Sequence, residues 1–358
     1  MCLQNIIINE IDRKGPISFK DFMEMCLYYP GEGYYTSPEN RIGKEGDYYT
    51  SPCLGPLFGS VVARQVAEMW EQMRKRPFDV VEFGAGTGLL CHHILDALQQ
   101  NNDALYKNLT YHLVEKNQQL EPDNIHTGKI KIHESFSELE EFEGCVLSNE
   151  LLDNFSIHQV IMNNEMMEVM VRYENGEFKE ETKPASIEIK DYFKELEVDL
   201  PDGFRTEANL GATEWLKSIS QKLKKGFVLT IDYGFPSNEL YHEKRRAGNI
   251  VCYYKHHVNF CPYHHIGEQD ITAHINFSAL KHWGLKYGLQ PAGYTTQGHF
   301  LSALGIGNLL RQYEHFKNSS KLLKALLIDL GSKMKVFIQQ KNMSSPKLTG
   351  LMFSERLL

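Results

Sequence analysis

Val80-Val81-Glu82-Phe83-Gly84-Ala85-Gly86-Thr87-Gly88 decides the reading of this chain. The run Phe78–Phe83 has the length and composition of a buried strand, and it stops at three glycines on alternate positions. Glycine lets the backbone turn tightly and approach a ligand with no Cβ in the way. Leu89–Leu98 follows with helical spacing, and the start of that helix offers N–H groups with no intrahelical partner. The spacing Gly-x-Gly-x-Gly is not the Gly-x-Gly-x-x-Gly fingerprint, which seats a pyrophosphate on the helix N-terminus. That difference disfavours a nicotinamide dehydrogenase. A phosphate-free nucleoside ligand with an ammonium group, S-adenosylmethionine, suits the shorter turn and the acid before it, Glu82.

The next strand, Leu109–Val114, ends on Glu115 after one helical crossing. An acid there can accept both ribose hydroxyls, as it does in dinucleotide folds. Ile130–His133, Cys145–Leu147 and Phe227–Ile231 are further strands, so the pattern predicts an α/β fold with a mostly parallel, Rossmann-like sheet. Upstream, the spacing predicts helices over Pro16–Tyr29 and Leu57–Met73, joined by a long Gly-, Pro- and Tyr-rich loop from Pro30 to Pro56. Downstream, 156–210 reads as antiparallel ribbons, including Met166–Tyr173 and Ile187–Ile189. The Tyr- and His-rich stretch 233–275 reads as a lid or substrate wall. Residues 311–346 read as an amphipathic helix pair. The division expected is 1–75 as a helix-loop-helix extension over the cofactor site and 76–358 as the catalytic domain, with insertions at about 156–210 and 233–275.

The composition of the 358 residues agrees with a large folded core, 42% of them being hydrophobic. A formal net charge of −8 supplies no general attraction to nucleic acid. The seven cysteines lack the spacing of a small disulfide framework and read as reduced thiols. Neither a signal-peptide pattern nor an apolar run of the ~20 residues that cross a bilayer is evident, so the expectation is a cytoplasmic protein with no membrane insertion. A homodimer stays open.

Several stretches together resemble the MidA-like methyltransferase family, which includes a mitochondrial complex I assembly factor with protein-arginine methyltransferase activity. They are Pro16–Phe19, Leu27–Pro30, Gly33–Tyr35, Gly46–Pro52, Glu82–Gly88, Ser148–Asp153, Ile231–Gly234, Asp270–Phe277 and Thr296–Gly298. The resemblance covers nearly the whole chain. It implies a class I, seven-stranded methyltransferase fold with S-adenosylmethionine as donor, lying against Gly84, Gly86 and Gly88 with Glu115 at the ribose. It also implies that Gly46–Pro52, with Thr50, Ser51 and Pro52, packs near the donor, and that Asn149 and Glu150 face the transferred methyl group. One departure concerns the acceptor side. Where the family has two aromatic residues and, later, a proline, this chain has Leu151, Leu152 and Ser156.

Methyl transfer asks for alignment and for neutralisation of charge on the nucleophile. Glu150 and Asp153, three apart after a strand, can grip a guanidinium bidentately and leave one nitrogen aimed at the methyl. The plainer alternative is that Asp153 caps the next helix. Asp232 and Tyr233, ending the fifth strand, either line the acceptor pocket or tie down the following loop. Cys252, His256, His257, Cys261, His264 and His265 include zinc-ligating types, but their spacings are not those of paired knuckles. We expect no metal there, and instead a His-bearing lid with His256 or His257 near the acceptor. His274 is either a pocket support or a structural histidine. The function predicted is an S-adenosylmethionine-dependent methyltransferase acting on protein arginine, the alternatives being a small-molecule O- or N-methyltransferase and a non-catalytic assembly protein that keeps the fold.

Overall fold

The computed structural model describes residues 2–37, 50–116, 125–312 and 319–357. Eight strands build the main sheet, seven of them in one row: β1 (Phe78–Phe83), β2 (Leu109–Val114), β3 (Ile130–His133), β4 (Phe142–Asn149), β5 (Leu223–Phe235), β6 (Gln290–Thr296) and β7 (Met334–Lys341), while the two-residue strand Ile275–Asn276 pairs in parallel with the end of β5. Their order across the sheet is β3-β2-β1-β4-β5-β7-β6, and only β7 runs against the rest. The order reverses beside β1, so the carboxyl ends of β1, β2, β4 and β5 share one edge, where ligands of open α/β sheets collect.

Two apolar layers cover the two faces. One packs the helices Pro56–Gln72 and Leu89–Asn101 on the sheet through Phe58, Val62, Ile94 and Leu95, and the other packs Leu210–Lys222 and Phe277–Lys286 through Trp215, Leu216, Phe277 and Leu280. A third core lies apart from the sheet. There the helices Leu3–Lys14 and Phe19–Tyr28 bury Ile7, Phe19, Phe22 and Met23 against Val169, Val171, Cys252 and Ile271 of the inserted regions. Ile17 and Ser18 also pair antiparallel with Val171 and Met170, so the N-terminal extension adds a strand to the inserted ribbon.

Several boundaries differ from the sequence reading for physical reasons. The helix predicted from Pro16 begins at Phe19, because Ile17–Ser18 is strand and the Ser18 hydroxyl accepts the N–H of Asp21 as an N-cap. Ile187–Ile189 is not a ribbon. It opens the helix Ile187–Glu195, capped by Ser186 and buried through Ile189, Tyr192 and Phe193. The expected helix pair at 311–346 fails over its second half, where Met334–Lys341 is the antiparallel strand β7. Residues 233–275 are more ordered than a lid: they carry the end of β5 and a three-stranded sheet of Ile250–Tyr254, His257–Asn259 and Asp270–Ala273. Among the described residues no helix is long and apolar enough to cross a membrane.

Candidate active site

The carboxyl edge of the sheet opens on a cavity of about 900 Å³. Its walls come from the β1 turn (Glu82–Thr87), the end of β2 (Val114–Lys116), the residues after β3 (Glu134–Phe136) and the β4 exit (Asn149–Leu151 and Asn154–Ser156). The N-terminal segment contributes Lys20, Glu24, Tyr28, Tyr34, Tyr35, Thr50, Pro52 and Cys53, and the helix Leu210–Lys222 contributes Trp215.

The turn takes the form its glycines allow. Gly84, Gly86 and Gly88 have φ of 67°, 56° and 73°, the left-handed region that side chains disfavour, and Gly88 caps the helix Leu89–Asn101. The Gly84 N–H donates to Val114 O at 3.0 Å, and the Gly86 N–H donates to Glu115 Oε2 at 2.9 Å. Glu115 therefore stands beside the turn at the tip of β2. Glu82 lines the cavity from beneath, only 3% exposed, and accepts a 2.6 Å hydrogen bond from the Tyr111 hydroxyl. Burial, with the Glu115 charge adding to it, pushes the Glu82 carboxyl up to about 7.

Opposite the turn, Glu150 leaves β4 with φ of 51°, a conformation that costs a non-glycine residue of order 1–3 kcal/mol and points to a functional constraint. Its N–H donates to Ile231 O, and its Oε1 accepts the Ser51 N–H and the Asn149 side-chain amide, each at 3.2 Å. Burial first, then the charges of Asp232 and Asp270, push the Glu150 carboxyl up to about 8. Asn149 Oδ1 is buried with no hydrogen-bond partner among the described residues.

The remaining expected residues are distributed less simply. Thr50 and Pro52 line the cavity, whereas Ser51 is fully buried behind it, its hydroxyl donating to Gln297 Oε1 at 3.2 Å. Gly46–Tyr49 lie outside the described residues. Asp153 and Asp232 stand behind the cavity wall. Asp232 accepts the N–H groups of Leu151 and Leu152 at 3.2 and 2.8 Å and that of Tyr233 at 2.8 Å, so it ties down the loop. Asp153 caps no helix; its side chain is buried beside that of Asp232, and its Oδ1 has no hydrogen-bond partner among the described residues. Burial and the neighbouring Asp232 push Asp153 up, and Asp232 rises to about 6. The Tyr233 phenol is pushed up by burial and by the charges of Glu150 and Asp153, which places it close to that group.

The expected His lid is corrected. Lys255 and His256 have φ of 47° and 62° and form the turn between two strands, and His256 and His257 are exposed and off the cavity wall, carried outward on the hairpin. His265 stacks on Tyr254 with centroids 3.8 Å apart. His274 is half-buried off the cavity and packs its ring edge-on against Phe235, its pKa depressed to about 4 by desolvation. The sequence reading missed Phe136, Trp215, Glu134 and Lys116. Glu134 and Phe136 had a usable signal, since they directly follow a strand that ends on the same edge.

This chain resembles known proteins over most of its length. A family described as "Putative S-adenosyl-L-methionine-dependent methyltransferase" matches residues 61–295. The "Protein arginine methyltransferase NDUFAF7 homolog, mitochondrial" of Caenorhabditis elegans is 25% identical over 374 residues, covering 94% of this chain and 85% of its own length. The Drosophila melanogaster protein of the same name is 24% identical over 331 residues, covering 81% and 72%. A crystal structure from Burkholderia thailandensis with S-adenosyl-homocysteine bound is 29% identical, has a TM-score of 0.89, and covers 99% of this chain and 95% of that one. Both curated relatives are named as mitochondrial proteins, which overturns the expectation of a cytoplasmic one.

The cavity fits such a donor on its own evidence. Its turn is kept bare by three left-handed glycines, an acid stands at the tip of β2, and the unpartnered Asn149 Oδ1 adds an acceptor where a ligand enters. A volume of about 900 Å³ sits near the top of the usual range for small-molecule sites. The strand order, the glycine turn and the matched relatives agree, and the chain belongs to the MidA-like, NDUFAF7-related family of class I S-adenosylmethionine-dependent methyltransferases.

Proposed function

We propose that this methyltransferase acts on a protein substrate and transfers the methyl group to an arginine guanidinium. The observation that carries the reading is the acidic end of the cavity. Glu150 lines it, and the charges that act most strongly on Glu150 are those of Asp232 and Asp270, not those of a basic side chain. A buried carboxylate without a cation is costly, and a cationic acceptor relieves that cost on binding. Guanidinium is always charged, and its planar fork matches a carboxylate edge. The curated relatives, named as protein arginine methyltransferases, support the same acceptor.

S-adenosylmethionine supplies an electrophilic methyl group carried on a sulfonium. The chain's own part is alignment and charge. Gly84 and Gly86 give the donor a bare backbone wall, Gly88 behind them starts the next helix, Glu115 accepts the ribose hydroxyls, and Glu82 lies beneath. Thr50 and Pro52 line that site together with Tyr28 and Tyr35, so the N-terminal extension covers the donor, while the helix Pro56–Gln72 belongs to the core of the catalytic domain. Glu150 takes one edge of the guanidinium, while Asn149 Oδ1 accepts a further N–H. A nitrogen is thereby turned toward the methyl carbon. Glu150, at about 8, is matched to receive the proton which that nitrogen gives up. Asp153 acts through Asp232 and the Leu151–Leu152 backbone, not on the substrate.

The test offers labelled S-adenosylmethionine to arginine-bearing peptides, to the same peptides with lysine, and to a small-molecule extract. Methylarginine in the first sample alone is expected, with Glu150→Gln lowering transfer more than about 100-fold while S-adenosylhomocysteine still binds. Label in lysine peptides or in the extract alone would overturn the arginine reading.

A further inference from the structure

Past the point where Glu150 meets β5, that strand leads to a charged feature of the opposite sign. The Glu150 N–H donates to Ile231 O, and β5 runs on for four residues, about 13 Å, to its end at Phe235. Two cations sit on the half-buried Phe235 ring. The Arg245 guanidinium carbon is 3.8 Å from the ring centroid and Lys335 Nζ is 5.9 Å from it. His274 completes the group, its centroid 5.3 Å from that of Phe235. The cluster lies off the cavity wall but on the same carboxyl edge of the sheet.

The polar atoms of this cluster are incompletely used. Arg245 Nη1 donates to Asn249 Oδ1 at 3.2 Å and Lys335 Nζ to Ser332 O at 3.3 Å, and among the described residues neither cation is paired with a carboxylate. Asp232 stands opposite Lys335 in the strand register, but it is taken up by the N–H groups of Leu151, Leu152 and Tyr233. Glu239 favours the charge on Arg245, yet burial outweighs it and holds the guanidinium below its ordinary value. The next residue, Arg246, is by contrast paired with Glu243 at 2.8 Å. His274 Nδ1 is buried with no hydrogen-bond partner among the described residues. Stacking on Phe235 occupies the face of the Arg245 guanidinium and leaves N–H groups along its edge. It accounts for neither the second cation nor the orphaned His274 nitrogen.

We propose, on the arginine reading of the acceptor, that Arg245, Lys335 and His274 form a subsite for a carboxylate of the substrate protein, an Asp or Glu side chain near the methylated arginine. The edge of the Arg245 guanidinium can take the carboxylate, with Lys335 as a second positive charge and His274 as a further N–H donor. In a chain of formal charge −8, two cations without a carboxylate partner are placed where they complement the acid at Glu150. An extended peptide covers about 13 Å in about four residues. The substrate class is therefore a segment with an arginine and an acidic residue about four positions apart.

The experiment measures, by calorimetry, binding of peptides blocked at both ends to the full-length protein saturated with S-adenosylhomocysteine. Each peptide carries one arginine and a single Glu, Gln or Lys placed two to seven positions away on either side. Glu about four positions away should bind about five- to tenfold tighter than Gln there, with Lys weaker than Gln. Arg245→Gln and Lys335→Gln should each erase most of that difference, Arg245→Lys should keep part of it, and Arg245→Glu should turn the preference toward Lys. Retained S-adenosylhomocysteine binding shows that each variant is folded. Equal binding of the Glu and Gln peptides by the wild type overturns the subsite, as does a Glu preference that persists in both glutamine variants. A peptide whose only carboxylate is a free C-terminus at that position should gain less than the Glu peptide, and a larger gain would overturn the side-chain assignment. Failure of the arginine reading is seen separately, as undiminished binding when glutamine replaces the peptide's arginine.

Discussion

The Ser51 N–H donates to Glu150 Oε1 at 3.2 Å, joining the segment that closes the cavity from the N-terminal side to the acid that leaves β4. The contact ties the position of Glu150 to closure of that segment. It also places the carboxylate under an N–H and an amide, both of which lower its affinity for a proton against the larger effect of burial.

Glu150 has an ordinary value of 4.5 and rises to about 8 in the fold, so between those values the folded state holds a proton that the unfolded chain has lost. Its contribution is complete below 4.5 and disappears as pH rises through about 8. Glu82 and Asp232 slope the same way at about 7 and 6. Glu150→Gln should therefore gain about 1–2 kcal/mol over the wild type in alkaline buffer and little near pH 4, read by thermal unfolding of the ligand-free protein.

In turnover the sign reverses. The carboxylate form grips the acceptor, so kcat/KM should climb as pH rises toward 8 and above, reporting the free enzyme. Glu150→Gln should flatten that limb as well as lower it. A pH–rate profile of the variant parallel to the wild type's would assign the limb elsewhere.

Asp232 and Asp153 should separate in stability. Asp232→Ala leaves the Leu151 and Leu152 N–H groups without their acceptor and should cost about 2–4 kcal/mol by urea unfolding. Asp153→Asn keeps a donor toward Asp232 and should cost less than about 1 kcal/mol. Equal losses would contradict the assignment of the loop-holding role to Asp232.

Gly86→Val should abolish S-adenosylhomocysteine binding in calorimetry. At φ of 56° a β-branched residue is strained, and its side chain stands on the wall that faces the ligand. Glu115→Gln should weaken binding while leaving the fold unchanged. Tight binding by the Gly86 variant would move the donor away from this turn.

The parallel half of the sheet was legible because its strands are short apolar runs ended by glycine or an acid, and β1, β2 and β3 fall on the predicted residues. β7 was not, since Met334-Lys335-Val336-Phe337-Ile338-Gln339 buries even Gln339, whose amide donates to Leu280 O, and a two-sided buried strand has no alternation to read. Ile187-Glu188-Ile189 alternates like a strand, yet Ser186 and the later Tyr192 and Phe193 give it helical burial. At the site, the motif residues Glu82, Gly84, Gly86, Glu115, Asn149 and Glu150 converge as expected on one cavity. His256 and His257 were chosen by side-chain chemistry alone, and a hairpin turn sends them away from it. The pairing of Asp153 with Asp232 depends on β4 and β5 lying side by side, which sequence spacing does not encode.

The short strand Ile17–Ser18, paired with Met170 and Val171, also sets an order of events during synthesis. Ile7, Phe19 and Phe22 have their burial partners in the ribbon and in the three-stranded sheet, both encoded far downstream. These helices leave the ribosome well before their partners and are thus among the last to settle, and until then they present an apolar surface that a chaperone can hold. A ribosome stalled before Val171 should carry a nascent chain in which Leu3–Lys14 and Phe19–Tyr28 are readily cut by protease.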